Sequence, residues 1–238
     1  MERSLVRNCH NLKARALKGM ILAQMGREAE AAAWYVGNLK LDAFDYVSRI
    51  ESGDAGTALS MMGGRASSYI ECAIDYAEAG FYRKAVDVLE QCPAAHPMVS
   101  YHKALCLSRA GLGDAQALRE AADCGSLYCF PNKLEDIPAL RHAMGRNPGD
   151  SKAPYYLGCL LYDRQRFDEA ITCWESSAAL DTSFPTVWRN LALAYFNKRG
   201  EKQLARECLE KAYALDETDV WVLLELDQLY HKIGIPVE

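Results

Sequence analysis

Apolar residues recur along this chain at intervals of three and four positions over long windows, and alternating apolar and polar runs are missing. Spacings of i, i+3, i+4 and i+7 place apolar side chains on one face of an α-helix, whereas strict alternation is typical of a strand. Ala, Leu, Glu, Lys and Arg, which favour helices, fill these windows. The pattern therefore predicts an all-α protein.

A set of four positions in one predicted helix returns 34 residues later in another: Pro154, Leu157, Gly158 and Leu161, then Trp188, Leu191, Ala192 and Tyr195. A small and a large apolar residue open the helix that follows each set: Ala170 with Trp174, and Ala205 with Leu209. The second pair comes 35 residues after the first, and we expect the extra residue in the turn NKRGEKQ. A fixed period of this length indicates an array of helix-turn-helix repeats.

Weaker copies of the pattern divide the chain into six intervals. We expect a degenerate helix pair in 1–42, an extra helix and connector in 43–65, two pairs in 66–124, an extra helix and connector in 125–150, two well-formed pairs in 151–217, and a terminal helix in 218–238.

The two extra helices are predicted because the copies lose their phase twice. Gly19 and Ala73 are 54 residues apart, and so are Ala104 and Gly158, which is more than one repeat and less than two. The segments that fit are FDYVSRIES, followed by a glycine-rich connector around 60–65, and LEDIPALRHAMGRN, with Asp136 as its N-cap. An unpaired helix alters how its neighbours stack, so we expect the superhelical direction to change in both intervals.

The order of residue types resembles the tetratricopeptide repeat (TPR), which has an aromatic residue, Leu-Gly or Leu-Ala and Tyr in its first helix, then Ala and an aromatic residue in its second. The resemblance is specific over 151–217 and 66–97, although Ala43, Thr182 and Glu217 stand where a closing Pro is usual. It implies a right-handed α-α superhelix of about five to six helix pairs, here with two extra unpaired helices. It also implies a non-catalytic scaffold that binds a protein or peptide.

A second resemblance concerns the segments YCFPNKLEDI, APYYLGCLLYD and SFPTVWRNLALAYFNKRG. They are similar to a repeat segment of large multidomain bacterial proteins whose other parts are β-rich and resemble carbohydrate-active proteins. This similarity implies an alternative role, in which the chain is an accessory packing or dimerisation segment of such a protein.

Composition and charge narrow the choice of partner. Half of the residues are hydrophobic, a quarter are charged, and the net charge is -5. Nucleic acids and anionic membranes bind clustered Lys and Arg, so we expect neither as the main partner. The N-terminal residues include no apolar stretch of secretory length and no later run reaches about 20 apolar residues, so we expect neither a leader nor a membrane span. The nine cysteines form no CxxC motif, which favours reduced thiols and a cytoplasmic protein.

The first helices of the repeats offer a candidate binding face. Residues three and four apart, opposite the packing positions, are expected to line the concave side of a superhelix. Aromatic residues with one Arg and one Lys suit an extended peptide, while the alternative is that they contact the neighbouring pair. The candidates are Lys152, Tyr155, Tyr162, Arg189, Leu193, Phe196, Gln228 and His231. By contrast, four aromatic residues in the repeat pattern are interpreted as core: Tyr76, Trp174, Trp188 and Tyr195.

Two further binding chemistries are weighed and set aside. Lys152 and Asn190 suit a carboxylate, but Tyr155 and Cys159 occupy the places where TPR proteins of that type need Lys and Asn. The spacing of four residues resembles a zinc site: Cys92, His96, His102 and Cys106. We interpret the two thiols among them as packing residues. GxSxG, HExxH and GxxxxGK[ST] motifs are absent from the sequence, so we expect no enzyme, metal or cofactor.

The last predicted helix, DVWVLLELDQLY, is apolar on more than one side. A terminal repeat is expected to have a polar outer side. We therefore expect the face from Trp221 to Leu229 to be covered by a second copy of the chain, or by C-terminal helices that are missing from this sequence.

Overall fold

The computed structural model describes residues 2–234, and all of its regular structure there is helical, which confirms the all-α prediction. The helices, in chain order, are α1 (Glu2–Arg7), α2 (Leu12–Gln24), α3 (Glu28–Leu41), α4 (Tyr46–Glu51), α5 (Ala55–Met62), α6 (Ala66–Glu78), α7 (Tyr82–Glu90), α8 (Pro97–Arg109), α9 (Ala115–Asp123), α10 (Asp136–Arg146), α11 (Lys152–Asp163), α12 (Phe167–Leu180), α13 (Pro185–Ala194), α14 (Lys202–Leu215) and α15 (Val220–Ile233). A π-helical turn, Tyr195–Arg199, follows α13 directly.

The chain forms two compact units, which divide between Ala117 and Leu118, within α9. In the first unit α2 packs against α3, and α6 against α7, which in turn contacts α8. In the second unit α11 packs against α12 and α13 against α14, while α12 contacts α13 and α14 contacts α15. Each unit is therefore a succession of helix hairpins in which a second helix also contacts the next first helix, as in a TPR-like solenoid.

Three of the four aromatic residues predicted to be core are buried, namely Tyr76, Trp174 and Tyr195. Trp188 differs, because it is only half-buried. Its indole N–H donates to the carbonyl of Thr182 at 3.1 Å, and the Lys211 ammonium lies 3.6 Å from its ring centroid. Near the start of α13 this side chain covers a loop and a lysine instead of entering the core.

The interval 43–65 holds two short helices, α4 and α5, where the sequence predicted one helix and a connector. The second helix forms because Ala58 and Met62, four positions apart, bury their side chains completely. It ends at Gly63, whose φ of 60° is left-handed, and Gly64 follows with a φ of 71°. The connector is therefore reduced to the few residues after Met62.

The interval 125–150 contains one helix, α10, at the predicted position. The prediction that Asp136 is its N-cap is wrong. Asp136 is the first residue of the helix, and its Oδ2 accepts the backbone N–H groups of Asn132 at 3.1 Å and Lys133 at 3.0 Å. Because these donors precede the helix, the carboxylate fixes the incoming loop instead of the first turn of α10.

First helices begin at residues 12, 46, 66 and 97 in chain order, and later at 152, 185 and 220. The intervals between these starting residues are unequal, shorter around α4 and longer across α10. The expected change of superhelical direction stays a prediction.

Aspartates stop the helices that lack a closing proline. Asp181 ends α12, and its Oδ1 accepts the N–H of Ser183 at 2.9 Å and its hydroxyl at 2.6 Å. Asp216 ends α14 in the same way, bonded to the N–H of Thr218 at 3.0 Å and to its hydroxyl at 2.6 Å. The short polar side chain substitutes for backbone hydrogen bonds and turns the chain.

The extra residue of the last repeat lies in the π-helical turn 195–199. This turn overlaps the first three residues of NKRGEKQ, the segment in which the sequence predicted it. A π turn accommodates one more residue than an α turn, so the register of α14 is preserved. Gly200 ends the turn with a φ of 69°. The N–H of Glu201 then donates to the carbonyl of Tyr195 at 3.0 Å.

All nine cysteines are free thiols, and burial raises the pKa of Cys106, Cys159 and Cys208 to about 11. Such thiols are protonated and unreactive near neutral pH. Between residues 2 and 234, no helix combines the length and the apolar character that a bilayer crossing requires.

Candidate peptide-binding face

The first helices α11, α13 and α15 are linked side by side within the second unit. The Asn190 side-chain amide of α13 lies 3.8 Å from the Cys159 sulfur of α11, and Arg189 of α13 pairs with Glu225 of α15. We call the surface that these helices share the α11–α13–α15 face. All eight residues predicted to bind a peptide lie on its three helices or on the π-helical turn.

Lys152 is engaged within the protein. Its ammonium donates to the carbonyls of Ala122 and Cys124, the latter just beyond the end of α9. A cation at this position satisfies carbonyls that have no partner inside the helix and interacts favourably with its dipole. Lys152 therefore stabilises the end of α9. Asn190, the other residue considered for a carboxylate, has its side-chain amide directed at the sulfur of Cys159.

Tyr155 and Tyr162 belong to an aromatic cluster around α11. The ring of Tyr155 lies 4.8 Å from that of Phe184, at the entry to the next repeat, and the ring of Tyr162 lies 5.0 Å from that of Phe167. Burial raises the pKa of both phenols. Tyr155 thus contacts the neighbouring repeat, which was the alternative interpretation, and Tyr162 contacts the second helix of its own repeat.

Arg189 forms a two-pronged ion pair with Glu225. Nε lies 2.7 Å from Oε2, and the second nitrogen lies 2.5 Å from Oε1. This hydrogen bonding raises the pKa of Arg189. The planar fork fixes α13 against α15 and leaves little unbalanced positive charge for a ligand.

Three of the predicted residues line one small cavity between α13 and α15. Leu193, Phe196 and Gln228 surround a space of about 70 Å³, together with Glu225 and Lys232. The Lys232 ammonium lies 5.3 Å from the Phe196 ring centroid, within cation–π range. Leu193 and Phe196 are half-buried, while Gln228 and Lys232 are exposed. The cavity presents an apolar wall beside polar groups that reach solvent.

His231 does not line this cavity. Its side chain is 73% exposed, and Nε2 lies 3.7 Å from Oδ1 of Asp227, one helical turn earlier. Lys232 and Glu225, which do line the cavity, were missed by the sequence reasoning. The spacing of the residues could have identified them. Glu225, Gln228 and Lys232 are three and four positions apart, so they lie on one face of α15.

The zinc-like spacing resolves into ordinary contacts. The Cys92 thiol lies 3.8 Å from the carbonyl of Ala94, and Nδ1 of His96 accepts the N–H of Met98 at 3.2 Å as the N-cap of α8. Cys106 and His102 are buried within α8. Over residues 2–234, no group of three or more His, Cys, Asp or Glu side chains is placed to hold a metal ion.

Residues 158–198 match the family model of the TPR repeat. The matched segment runs from the middle of α11 through α12 and α13 into the π-helical turn, so it covers the second helix of one repeat and the first helix of the next. The chain therefore carries a TPR repeat at the position where the residue pattern is most regular.

Several solved structures are similar to this chain at low identity. YrrB, a TPR protein described as having an unusual peptide-binding site, shares 16% identity with a TM-score of 0.38, over 95% of this chain and 97% of that one. PilF of Pseudomonas aeruginosa shares 18% identity with a TM-score of 0.42, over 71% and 69%. MamA from Desulfovibrio magneticus RS-1 shares 16% identity with a TM-score of 0.36, over 88% and 97%. At these values the likeness says nothing about what this chain binds.

Proposed function

We propose that this chain is a non-catalytic protein-interaction scaffold, and that its α11–α13–α15 face binds an extended peptide or the surface of a partner domain. The supporting observation is the cavity between α13 and α15, where the apolar side chains of Leu193 and Phe196 meet the exposed Gln228 and Lys232. A volume of about 70 Å³ accepts one small aliphatic side chain. Gln228 and Lys232 at its edge would hydrogen-bond the ligand backbone or a carboxylate.

The direct test compares proteins that co-purify with the full chain and with the double variant Gln228→Ala plus Lys232→Glu. Both side chains are exposed, so the variant keeps the fold, which thermal unfolding verifies. Tyr155 and Arg189 are poor choices for this test because each stabilises contacts between repeats. We expect at least one partner to be lost from the variant and its affinity, measured by titration calorimetry, to fall about tenfold.

A matched control changes the same residue types on the outer helix α14. Lys202→Glu plus Gln203→Ala alters two exposed side chains away from the cavity. The control is expected to retain the partners of the wild type. If both variants lose the same proteins, or neither loses any, the α11–α13–α15 face is not the binding surface.

A second candidate function is packing or dimerisation through α15, the role implied by the resemblance to segments of larger carbohydrate-related proteins. Four exposed apolar residues support this role. Their exposed fractions are 73% for Val220, 68% for Trp221, 47% for Leu223 and 45% for Leu224. With Leu226, Asp227 and Tyr230, three of them line a groove of about 460 Å³, in which Asp227 is the only charged residue of the six. A mostly apolar surface suits a second copy of itself, in a twofold contact that buries the apolar side chains and leaves Asp227 at the edge.

Analytical ultracentrifugation over a range of concentrations tests this candidate. A homodimer that dissociates on dilution, and that Trp221→Ser plus Leu224→Ser renders monomeric, is the expected result. The same two substitutions leave Gln228 and Lys232 in place, so partner binding at the α11–α13–α15 face is measured independently. A wild-type monomer at all concentrations would exclude a dimer through α15.

A further inference from the structure

A concave feature of the first unit lies on helices that the candidate face does not include. A groove of about 520 Å³ runs between α2 and α6, and the loop before α4 also lines it. We call it the α2–α6 groove.

The floor of the α2–α6 groove is apolar. Ala16 and Met20 of α2, Val47 of α4 and Cys72 of α6 line it and are buried. At its mouth stands Phe44, 61% exposed, in the loop between α3 and α4. A large aromatic side chain left in solvent beside an apolar floor is a common anchor for a partner side chain.

The rim of the groove is acidic. Its lining includes a single cationic side chain, that of Lys13. It also includes five carboxylates: Asp42, Asp45, Glu71, Asp75 and Glu78. Asp45 is committed to the protein, since it caps α4 and accepts the Ser48 N–H at 3.1 Å. The strongly negative rim therefore contrasts with the modest negative charge of the whole chain, and it favours a cationic ligand.

Lys13 bridges the groove from α2 to α6. Its ammonium lies 2.7 Å from Asp75 Oδ1 and 3.6 Å from Glu78 Oε2, but its side chain is 66% exposed. Exposed ion pairs of this kind contribute little to stability and exchange readily with other charges. Burial nevertheless raises the pKa of Asp75, so the one ammonium only partly offsets the cost of placing that carboxylate there. Lys13 occupies the position that a ligand cation would take.

We propose that the α2–α6 groove binds a basic peptide segment in which Lys or Arg alternates with Leu or Phe. The cationic side chains pair with Asp75 and Glu78, and displace the ammonium of Lys13. The apolar side chains pack on Phe44 and the floor. This binding is separate from the proposed function of the α11–α13–α15 face and does not depend on it.

The test uses the full chain and three fluorescent synthetic peptides of equal length. The first alternates Lys or Arg with Leu or Phe, the second replaces every cation with Glu, and the third replaces every apolar residue with Ser. Fluorescence anisotropy is expected to show the first peptide binding at least about tenfold more tightly than either of the others. Its affinity is expected to fall as salt is raised, because salt screens the exposed rim.

Groove variants then locate the binding. Asp75→Asn plus Glu78→Gln is expected to weaken the first peptide about tenfold, and Phe44→Ser about fivefold. Both changes affect partly or fully exposed side chains, so folding is retained and is checked by thermal unfolding. The matched control Glu201→Gln plus Glu217→Gln removes two exposed carboxylates elsewhere and is expected to leave the affinity unchanged.

The sign of the Lys13 effect separates ligand binding from a structural role. Lys13→Met removes the competing ammonium and is expected to tighten the basic peptide about threefold. A weaker complex with this variant, or an affinity that the groove variants leave unaltered, would overturn the proposal. So would equal binding of the Ser-substituted peptide, which would indicate general charge attraction. Gln228→Ala plus Lys232→Glu is expected to have no effect here, so failure at one surface is distinguished from failure at the other.

Discussion

Gly158 lies directly against the indole of Trp174. A Cβ at Gly158 would be 2.5 Å from both Cδ1 and Nε1 of that ring. The indole N–H donates to the carbonyl of Tyr155 at 3.2 Å, one turn before the glycine. The same relationship occurs in the first unit, where a Cβ at Gly19 would be 2.4 Å from Cε1 of Tyr35. In both hairpins the small residue of the first helix lets the aromatic side chain of the second lie against its backbone.

Gly158→Ala is therefore expected to destabilise the protein by about 1–3 kcal/mol, because the added methyl group overpacks the contact with Trp174. Helix propensity acts in the opposite direction, since Ala is favoured over Gly in a helix by about 1 kcal/mol. Chemical denaturation measures the net effect. Gly145→Ala in α10 is the control, since its Cβ would meet no atom within 4 Å. Equal changes in the two variants would refute the packing argument.

The repeat hairpins could be predicted from the sequence because each is held by residues within one hairpin, such as Gly158 and Trp174, which are 16 positions apart. A helix as short as α5 gave too weak a signal, since Gly53 and Gly56 are typical of a loop and only the burial of Ala58 and Met62 makes the segment helical. Tertiary packing overrides local propensity in such segments.

A hydrogen bond between successive repeats recurs in the second unit. The Tyr195 hydroxyl of the π-helical turn donates to Glu175 of α12 at 2.7 Å, and the Tyr230 hydroxyl of α15 donates to Glu210 of α14 at 2.9 Å. Tyr195→Phe is expected to cost about 1 kcal/mol of unfolding free energy, since it removes a hydrogen bond to a charged acceptor. Urea denaturation measures this. Glu175→Gln, which keeps an acceptor oxygen, is expected to cost less, and a larger loss with Gln would contradict the assignment.

The candidate face was predictable only in part. Helical spacing places Leu193, Phe196 and Gln228 on one side of their helices, and the structure brings them together. Lys152 and Arg189 were chosen for their charge, but the carbonyls of Ala122 and Cys124 and the carboxylate of Glu225 engage them. Those partners come from other segments of the chain, and the periodic pattern of apolar positions does not encode which polar groups pair between segments.

Asp75 provides a prediction about pH. Burial raises its pKa in the folded protein above the ordinary value, even though Lys13 acts in the opposite direction. A carboxyl whose folded pKa is raised binds its proton more tightly in the folded state, so its contribution to stability declines as the pH rises through that range. Asp75→Asn is therefore expected to lose no stability at neutral pH.

The stability of the wild type relative to Asp75→Asn is expected to fall between about pH 3 and pH 7. Thermal unfolding of both proteins over that range measures the difference. A relative stability of the wild type that increases with pH would mean that the Lys13 ion pair outweighs desolvation.

The π-helical turn 195–199 leads to a prediction about deletion. It holds the one residue by which this repeat exceeds its predecessor, and residues on either side of it keep their places in the core, Leu191 before it and Ala205 after it. Deleting Asn197, which is exposed, is expected to convert the π turn into an α turn and to preserve the register of α14. The expected cost is below about 2 kcal/mol, and the helical circular dichroism signal is retained.

Deleting Asn190 instead, in the middle of α13, rotates every following residue of that helix by about 100°, since an α-helix has 3.6 residues per turn. Leu191 and Ala192 would then leave the core, so cooperative unfolding is expected to be lost. If the two deletions destabilise the protein equally, the π turn is not the site that absorbs the extra residue. A tolerated deletion of Asn197 alone would show that the repeat keeps its packing register while its length varies, because the extra residue lies in an exposed turn and not in the core.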